Sequence, residues 1–440
     1  MPELLSPAGT LRNMRYALAY GADAVYAGQP RYSLRARNND FDLARLETGI
    51  AEAHALGKKF FVASNVLPHN RKVDSYMADM EPVIALNPDA LIMADPGLIS
   101  MVRERWPDMP VHLSVQANTV NYAAVKFWQQ LGLTRVILSR ELSLDEVADI
   151  RQRCPDMELE VFVHGALCIA YSGRCLLSGY MNHRDSNQGT CTNSCRWEYK
   201  LNPAQENETG DLVAATQQGA GSECGGMTRH HDAGQQYLLE EQERPGEFMP
   251  IEEDEHGTYI LNSKDLRAVE HVAKLTEIGV DSLKIEGRTK SHYYVARTAQ
   301  IYRQAIDDAV AGRPFDMSLL GKLEALANRG YTDGFYQRHH TQDHQNYMEN
   351  ASREMRQRFV AEISSGPDDQ GLTMVQAKNK FGVGDSMELL TPAGNHSFVI
   401  DQMFDKNGTP VQEAPGSGHI VKIRLPVEKI SEVDLIAKNL

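Results

Sequence analysis

The sequence lacks several features that would place it in a familiar class of protein. No run of about 18 apolar residues occurs in its 440 residues, so no membrane span is expected. The first residues form neither a basic nor an apolar stretch, so we expect no signal peptide and predict a cytoplasmic location. The motifs G-x-G-x-x-G, H-E-x-x-H and G-x-S-x-G and the phosphate-binding P-loop are all missing. The commonest dinucleotide, zinc-protease and serine-hydrolase sites are therefore excluded.

Cysteine is absent from most of the chain and is confined to one region. All six cysteines lie between Cys154 and Cys224, and four of them follow the pattern C-x6-C-x15-C-x3-C within residues 164–199. Reduced thiols of a cytoplasmic protein favour a metal or redox role over disulfides. An iron–sulfur cluster, a zinc ion and a structural or redox set of thiols are all compatible with the pattern. The cluster is favoured because only one of the two cysteine pairs has the tight spacing usual for zinc.

Acidic charge is also concentrated in one segment. The net charge is −14, and Leu201 to Glu255 contain thirteen acidic and two basic residues, so −11 of that charge lies there. The rest of the chain is nearly neutral, and charge neither supports nor excludes an RNA partner. We interpret residues 202–255 as an insertion, largely loop, that interrupts a hairpin between the predicted strands Trp197–Leu201 and Thr258–Leu261.

Most of the remaining chain repeats one structural unit. Short apolar runs alternate with amphipathic stretches at helical spacing, and turns precede several of the runs. The predicted strands are Glu3–Ser6, Ala24–Ala27, Phe60–Ala63, Ala90–Ala94, Val111–Val115, Arg135–Leu138, Leu159–Val163 and Val280–Glu286. Eight such strands predict an α/β fold, a (β/α)8 TIM-like barrel within residues 1–330, with an open doubly wound sheet as the alternative. Polar and small residues follow the strands, where barrel enzymes place their sites.

The C-terminal part of the chain follows a different pattern. After a predicted linker at 331–358, short alternating runs are separated by turns rich in Gly, Pro and Asn. This pattern predicts a small C-terminal antiparallel β-barrel domain over residues 359–440.

Several motifs resemble those of peptidase family U32. The resemblance rests on ELLSPAG at 3–9, SVQ at 114–116, EVFVHGALC at 160–168, YSGRCLLS at 171–178 and KIEGR at 284–288. It covers about 1–201 and 256–440, and it implies prephenate-dependent formation of 5-hydroxyuridine at the wobble position of tRNA. That reaction is the first step toward 5-carboxymethoxyuridine.

The resemblance also implies a cofactor and partners. A 4Fe–4S cluster would be held by Cys168, Cys175, Cys191 and Cys195. Members of the family do not all use the same four cysteines, so the resemblance does not fix the fourth ligand. Prephenate would be the co-substrate and tRNA the substrate. The resemblance does not decide whether an electron-transfer or accessory protein is a further partner. The alternatives are hydroxylation of ribosomal RNA, a metal-dependent peptidase acting on collagen-like peptides, and a non-enzymatic scaffold that presents tRNA to another hydroxylase.

Residues near the predicted strand ends give hypotheses for the rest of the site. Four arginines would grip the carboxylates of prephenate or RNA phosphates: Arg35, Arg37, Arg140 and Arg288. Four further residues would line the pocket: Gln116, Asn118, His164 and Glu286. Of these eight, we assign Arg37, His164, Glu286 and Arg288 to catalysis and the other four to substrate binding. The arginines and the histidine also have a purely structural interpretation. An arginine could form a surface ion pair, and the histidine could be a packed core residue.

Overall fold

The computed structural model describes residues 1–29, 31–33, 40–166, 199–206, 212–214, 237–241, 248–254, 257–260, 265–326, 330–337 and 357–440. The chain divides into two compact units. The first comprises Met1–Gly165, Ala268–Leu326 and Glu354–Leu440, and the second comprises Ala166–Arg267 and Ala327–Arg353. Within the described ranges, none of the helices combines the length and apolar composition that a bilayer crossing requires.

The first unit begins with seven strands that alternate with six helices. The strands are β1 (Glu3–Pro7), β2 (Ala24–Gly28), β3 (Lys59–Ser64), β4 (Ala90–Met93), β5 (Val111–Leu113), β6 (Arg135–Ile137) and β7 (Glu158–Ala166). The helices are α1 (Leu11–Ala19), α2 (Leu43–Ala55), α3 (Asn70–Ala85), α4 (Pro96–Arg105), α5 (Tyr122–Gln130) and α6 (Leu144–Arg153). The strands are nearly continuous apolar runs because both of their faces are buried.

Polar side chains fix where most of these helices begin. Thr10, Asp42, Asp95, Asn121 and Ser143 each accept a hydrogen bond from a backbone N–H of the first turn of the helix that follows. This bond satisfies a donor that has no partner within the helix. The tight turn from strand to helix places the residues after each strand at one end of the sheet.

The second unit contains a five-stranded antiparallel sheet. Its strands are β8 (Tyr199–Glu206), β9 (Leu212–Ala214), β10 (Tyr237–Glu241), β11 (Phe248–Asp254) and β12 (Gly257–Ile260), in the order β12-β11-β10-β8-β9. Strand β13 (Asp265–Arg267) pairs in parallel with β15 (Tyr331–Thr332).

This sheet corrects the predicted hairpin. The two strands at its ends do form, but β8 pairs with β10 and β9, whereas β12 pairs with β11. The prediction failed because the high acidic charge of the segment suggested a loop. The short runs YLLEE and FMPIEED, each apolar at its start and acidic at its end, form the strands that lie between.

Strand β14 (Ser282–Ile285) closes the barrel. Strands β1 to β7 pair in parallel in chain order, and β14 pairs in parallel with both β1 and β7. Leu283 lies opposite Leu4 on one side and Val161 on the other. The predicted TIM-like barrel is therefore confirmed. Helices α7 (Val272–Ile278), α8 (His292–Val310) and α9 (Ser318–Glu324) complete its outer layer.

The C-terminal domain is antiparallel, as predicted. Its strands are β16 (Gln357–Pro367), β17 (Thr373–Ala377), β18 (Phe381–Gly382), β19 (Ser386–Thr391), β20 (Gly394–Val399), β21 (Met403–Asp405), β22 (Glu413–Ala414), β23 (Ile420–Ile423) and β24 (Leu435–Asn439). Seven of them form one sheet in the order β20-β19-β24-β16-β17-β23-β21, and β18 pairs with β22. Buried apolar side chains, among them Val360, Phe381 and Leu389, form its core.

Helix α8 and this domain share buried polar contacts. The Arg297 side chain is 2% exposed, and its Nη2 lies 3.0 Å from Glu388 Oε2. Glu362 of β16 is equally enclosed, with Arg12 Nη2 at 2.8 Å, His292 Nε2 at 2.7 Å and Lys378 Nζ at 3.0 Å from its carboxylate. Burial raises the pKa of Glu362, but these three partners outweigh burial and lower the pKa to about 2.

We expect Glu362→Gln to flatten the acid dependence of stability. The pKa of Glu362 is about 2 in the folded chain against an ordinary value of 4.5. The unfolded chain therefore binds this proton first as the pH falls, so the stabilisation is complete above pH 4.5 and is lost toward pH 2. Urea unfolding midpoints at about pH 6 and about pH 3 should differ less in the variant than in the wild type.

The matched control is Glu413→Gln, which removes an exposed carboxylate paired with Lys380. Its unfolding midpoint should follow the wild-type pH dependence. If Glu362→Gln also follows the wild type, the buried cluster does not contribute to acid stability.

Candidate functional site at the mouth of the barrel

A buried carboxylate organises the inside of the barrel. Glu160 of β7 is fully buried, with Lys284 Nζ at 2.9 Å from one oxygen and Arg135 Nη1 at 3.1 Å from the other. Arg135 also lies 2.6 Å from Glu3 and 2.8 Å from Glu158. Burial alone would lower the pKa of Arg135, but the surrounding carboxylates outweigh it and raise this pKa. The guanidinium therefore stays charged inside the barrel.

Lys284 extends this network toward the carboxyl ends of the strands. Its ammonium lies 4.3 Å from the centre of the Tyr26 ring and 5.5 Å from the centre of the Phe162 ring. Burial lowers the pKa of Lys284 despite the attraction of Glu160. Lys284 is thus a cation that is held against two aromatic faces and that gives up its proton more readily than an exposed lysine.

Two predicted site residues meet beside this lysine. Arg140 follows β6, and its Nη2 lies 3.1 Å from Glu286 Oε2 at the end of β14. The Arg140 guanidinium carbon is 3.8 Å from the centre of the Phe162 ring, which fixes the plane of the group by stacking. The structure therefore brings Arg140 and Glu286 together in an ion pair, and their roles in substrate binding and catalysis stay predictions.

Arg288 also lies near the Tyr26 ring. Its Nη1 donates to Ser33 Oγ at 2.8 Å, and its guanidinium carbon lies 5.7 Å from the Tyr26 ring centre. Two glycines make room for it. A Cβ on Gly9 would lie 1.9 Å from the Arg288 carbonyl oxygen, and one on Gly28 would lie 2.6 Å from Nη1. Arg140, Lys284 and Arg288 thus place three cations around two aromatic rings, and we call these five residues the cationic cluster.

A second polar group lies at the ends of β3 and β5. Asn65 Nδ2 donates to Gln116 Oε1 at 3.2 Å and to Ser114 Oγ at 3.4 Å, and Ser114 Oγ donates to the same Gln116 oxygen. Asn118 has φ of 58°, a conformation that asparagine tolerates, and its Oδ1 accepts from Ser139 Oγ at 3.2 Å. We call Asn65, Ser114 and Gln116 the amide cluster.

The His164 side chain packs against α8, although its carbonyl oxygen accepts a hydrogen bond from the Glu286 N–H at 2.8 Å. It is 1% exposed, its Nδ1 is 3.3 Å from Tyr302 Oη, and its ring centre lies 5.7 Å from that of Tyr294. Both tyrosines belong to α8, so these contacts match the structural alternative of a packed core histidine. Its catalytic role stays a prediction.

Six predicted site residues lie outside the described residues: Arg35, Arg37, Cys168, Cys175, Cys191 and Cys195. Cys154 is the one cysteine within the described ranges. Its Sγ lies 3.6 Å from the Tyr122 carbonyl oxygen, and burial raises the pKa of its thiol. A thiol that resists deprotonation is a poor metal ligand, because metals bind the thiolate.

Four residues of this region were not among the predicted site residues: Arg135, Glu160, Lys284 and Tyr26. The available signal was a charged residue inside an apolar strand, as in SLKI of β14 or ELEVFV of β7. Charges at such positions are expensive to bury alone, so their presence indicates partners on neighbouring strands.

Comparisons with known proteins fit this architecture. The sequence profile described as peptidase family U32 matches residues 9–346, and that of the family's C-terminal domain matches residues 355–437. The chain belongs to peptidase family U32.

Two curated proteins match over the whole chain, and a third matches over part of it. The tRNA hydroxylation protein P of Escherichia coli is 58% identical, covering 100% of this chain and 97% of that protein. The protein of the same name from Haemophilus influenzae is 57% identical, covering 100% and 96%. The 23S rRNA 5-hydroxycytidine C2501 synthase of Escherichia coli is 31% identical, covering 76% of this chain and 42% of that protein.

We expect Arg135→Met to be strongly destabilising. The change leaves the Glu160 carboxylate, which is fully buried, and the nearly buried Glu3 without their shared cation. Breaking a buried ion network in this way costs about 3–5 kcal/mol, which a shift in the urea unfolding midpoint would measure.

The control is Arg105→Met, where the arginine is 63% exposed and pairs loosely with Glu81 at 3.6 Å. That variant should change the free energy of unfolding by less than about 0.5 kcal/mol. Equal effects of the two variants would show that the barrel does not depend on the buried network.

Proposed function

We propose that this member of family U32 hydroxylates tRNA, forming 5-hydroxyuridine at the wobble position. The observation that carries the proposal is the 58% identity over the full chain to a protein named for tRNA hydroxylation. A second relative is named as a 5-hydroxycytidine synthase of ribosomal RNA, so hydroxylation of a pyrimidine in RNA recurs in the family. The polar mouth of the barrel, where TIM barrels carry their active sites, supports an enzymatic role.

We further propose that the cationic cluster binds prephenate, the co-substrate. Prephenate carries two carboxylates on a compact carbon skeleton. Arg140 and Arg288 offer planar guanidinium groups suited to carboxylates, and Lys284 supplies a third positive charge. Tyr26 and Phe162 provide apolar faces between these cations. Among the described residues, Glu286 pairs with Arg140 and Glu160 pairs with Lys284.

The proposed cofactor is a 4Fe–4S cluster on Cys168, Cys175, Cys191 and Cys195. Support comes from the clustering of these four cysteines in the sequence. Cys154 lies apart from them at the end of α6, buried with its Sγ 3.6 Å from the Tyr122 carbonyl oxygen. Such a cluster, when bound, supplies one-electron redox chemistry. The residues of the barrel mouth would bind and orient the substrates, and Lys284 could hold or release a proton at Nζ.

Replacing one proposed ligand should abolish both the cluster and the product. We expect Cys191→Ala to lose the iron and sulfide content and the visible absorbance of anaerobically purified protein. In cells that lack the native gene and any redundant route, it should also fail to restore 5-hydroxyuridine derivatives in tRNA, measured by nucleoside mass spectrometry.

Cys154→Ala is the matched control, because the same change is made at a buried cysteine outside the proposed ligand set. It should retain both the cluster and the product. Product that returns equally with both variants would contradict the cluster assignment. Failure of the wild type to restore product would instead contradict tRNA hydroxylation and favour ribosomal RNA or peptide substrates.

Prephenate binding should depend on Arg288. We expect Arg288→Met to weaken binding about 10- to 100-fold, because a charge-assisted hydrogen bond is lost from a largely buried site. Ser33→Ala, which removes only the hydrogen bond that positions Arg288, should weaken binding less. Isothermal titration of the purified protein with prephenate measures both effects.

Arg105→Met serves again as the control and should bind prephenate like the wild type, because Arg105 is 63% exposed on α4. Unchanged affinity in both Arg288→Met and Ser33→Ala would exclude the cationic cluster as the prephenate site.

A further inference from the structure

The carboxamide of Gln116 is held in one orientation. Its Oε1 accepts hydrogen bonds from Asn65 Nδ2 at 3.2 Å and from Ser114 Oγ. A carbonyl oxygen has two lone pairs, so both acceptor positions of this amide are in use. Ser114 is itself oriented, because its oxygen also accepts from Asn65 at 3.4 Å. Rotation of the amide would place Nε2 against Asn65 Nδ2, which is a clash between two donors.

This arrangement leaves the amide nitrogen for a ligand. Within the described part of the chain, Gln116 Nε2 donates to no other residue. Gln116 is half-buried in the loop that follows β5, at the end of the barrel that carries the cationic cluster. The amide cluster therefore presents a fixed hydrogen-bond donor, and not an acceptor, at the mouth of the barrel.

A fixed donor distinguishes the two pyrimidines. Uracil carries the acceptor O4 where cytosine carries the N4 amino donor, and proteins read unpaired RNA bases through these edges. We propose that Gln116 Nε2 donates to O4 of the target base and thereby selects uridine over cytidine. This inference rests on the proposed function, because it names the group that recognises the base in the same site.

The size of the effect follows from the hydrogen bonds at stake. A cytosine in this position would place its amino group against Nε2, leaving two donors without acceptors. Leaving a desolvated donor without an acceptor discriminates by about 5- to 150-fold against the wrong base. Asn65 and Ser114 act as positioning residues, because they orient the Gln116 amide and do not contact the base in this proposal.

Gln116→Glu is the decisive variant. A carboxylate keeps an oxygen for Asn65 and Ser114 but replaces the N–H donor with an acceptor, and glutamate is a known partner of the cytosine amino group. We expect uridine hydroxylation to fall at least about fivefold and cytidine hydroxylation to rise relative to it. Ser114→Ala removes one of the two hydrogen bonds that orient the Gln116 amide. It should therefore reduce the preference for uridine over cytidine without reversing that preference.

The experiment compares two forms of one substrate tRNA, with uridine or cytidine at the wobble position. Each is expressed in cells that lack the native gene and carry the wild type, Gln116→Glu, Ser114→Ala or Gln130→Glu. Nucleoside mass spectrometry of the purified tRNA gives the ratio of 5-hydroxycytidine to 5-hydroxyuridine. Gln130→Glu makes the same chemical change at an exposed position of α5 and should match the wild type.

The ratio separates recognition from general damage. A raised cytidine-to-uridine ratio in Gln116→Glu supports the inference, since a purely structural defect lowers both products together. An unchanged uridine yield, or a loss of uridine product with no cytidine product in return, overturns it while leaving tRNA hydroxylation intact. If the wild type forms no product on the uridine tRNA, the proposed function is overturned as well. The wild-type measurement therefore distinguishes failure of base recognition by Gln116 from failure of tRNA hydroxylation.

Discussion

The carboxylate of Glu160 is fully buried, and the rest of the barrel interior is arranged around it. An unpaired carboxylate at this depth would cost several kcal/mol, so the fold must supply cations from other strands. Arg135 of β6 and Lys284 of β14 meet that requirement, and β14 is the strand that closes the barrel. Closure of the barrel by β14 brings the second of these cations, Lys284, within 2.9 Å of Glu160.

The same requirement shapes the mouth of the barrel. Once Lys284 is fixed against Tyr26 and Phe162, Arg140 and Arg288 lie around those two rings. Their charges repel one another, and the Glu286 carboxylate, 3.1 Å from Arg140, offsets part of that repulsion. Grouped cations attract anions, and the two aromatic faces favour a ligand with an apolar body. The amide cluster, in contrast, is uncharged and suited to hydrogen bonding.

The C-terminal domain is fixed to the barrel by polar contacts that water cannot easily replace. Tyr20 Oη donates to the carbonyl oxygens of Leu390 and Val433 at 2.9 and 3.0 Å, and Arg297 pairs with Glu388 while almost fully buried. Tyr20 directly follows α1, and Arg297 lies in α8. These two helices flank β1 and β14. The domain therefore supports the helices beside the closing strand.

The sequence by itself determined the elements that depend on local pattern. Apolar runs such as Phe60–Ala63 recur with turns and amphipathic stretches, and this rhythm is enough to predict eight strands and a barrel. Strand-end residues such as Arg140 and Glu286 could be predicted to meet, because parallel strands all end on one side. Tertiary structure alone decided the partners: Lys284 and Glu160 are 124 residues apart, and β8 pairs with β10 where local pattern suggested β12. A buried charge and an exposed one look alike in a sequence, since burial is set by the chain segments that pack around them.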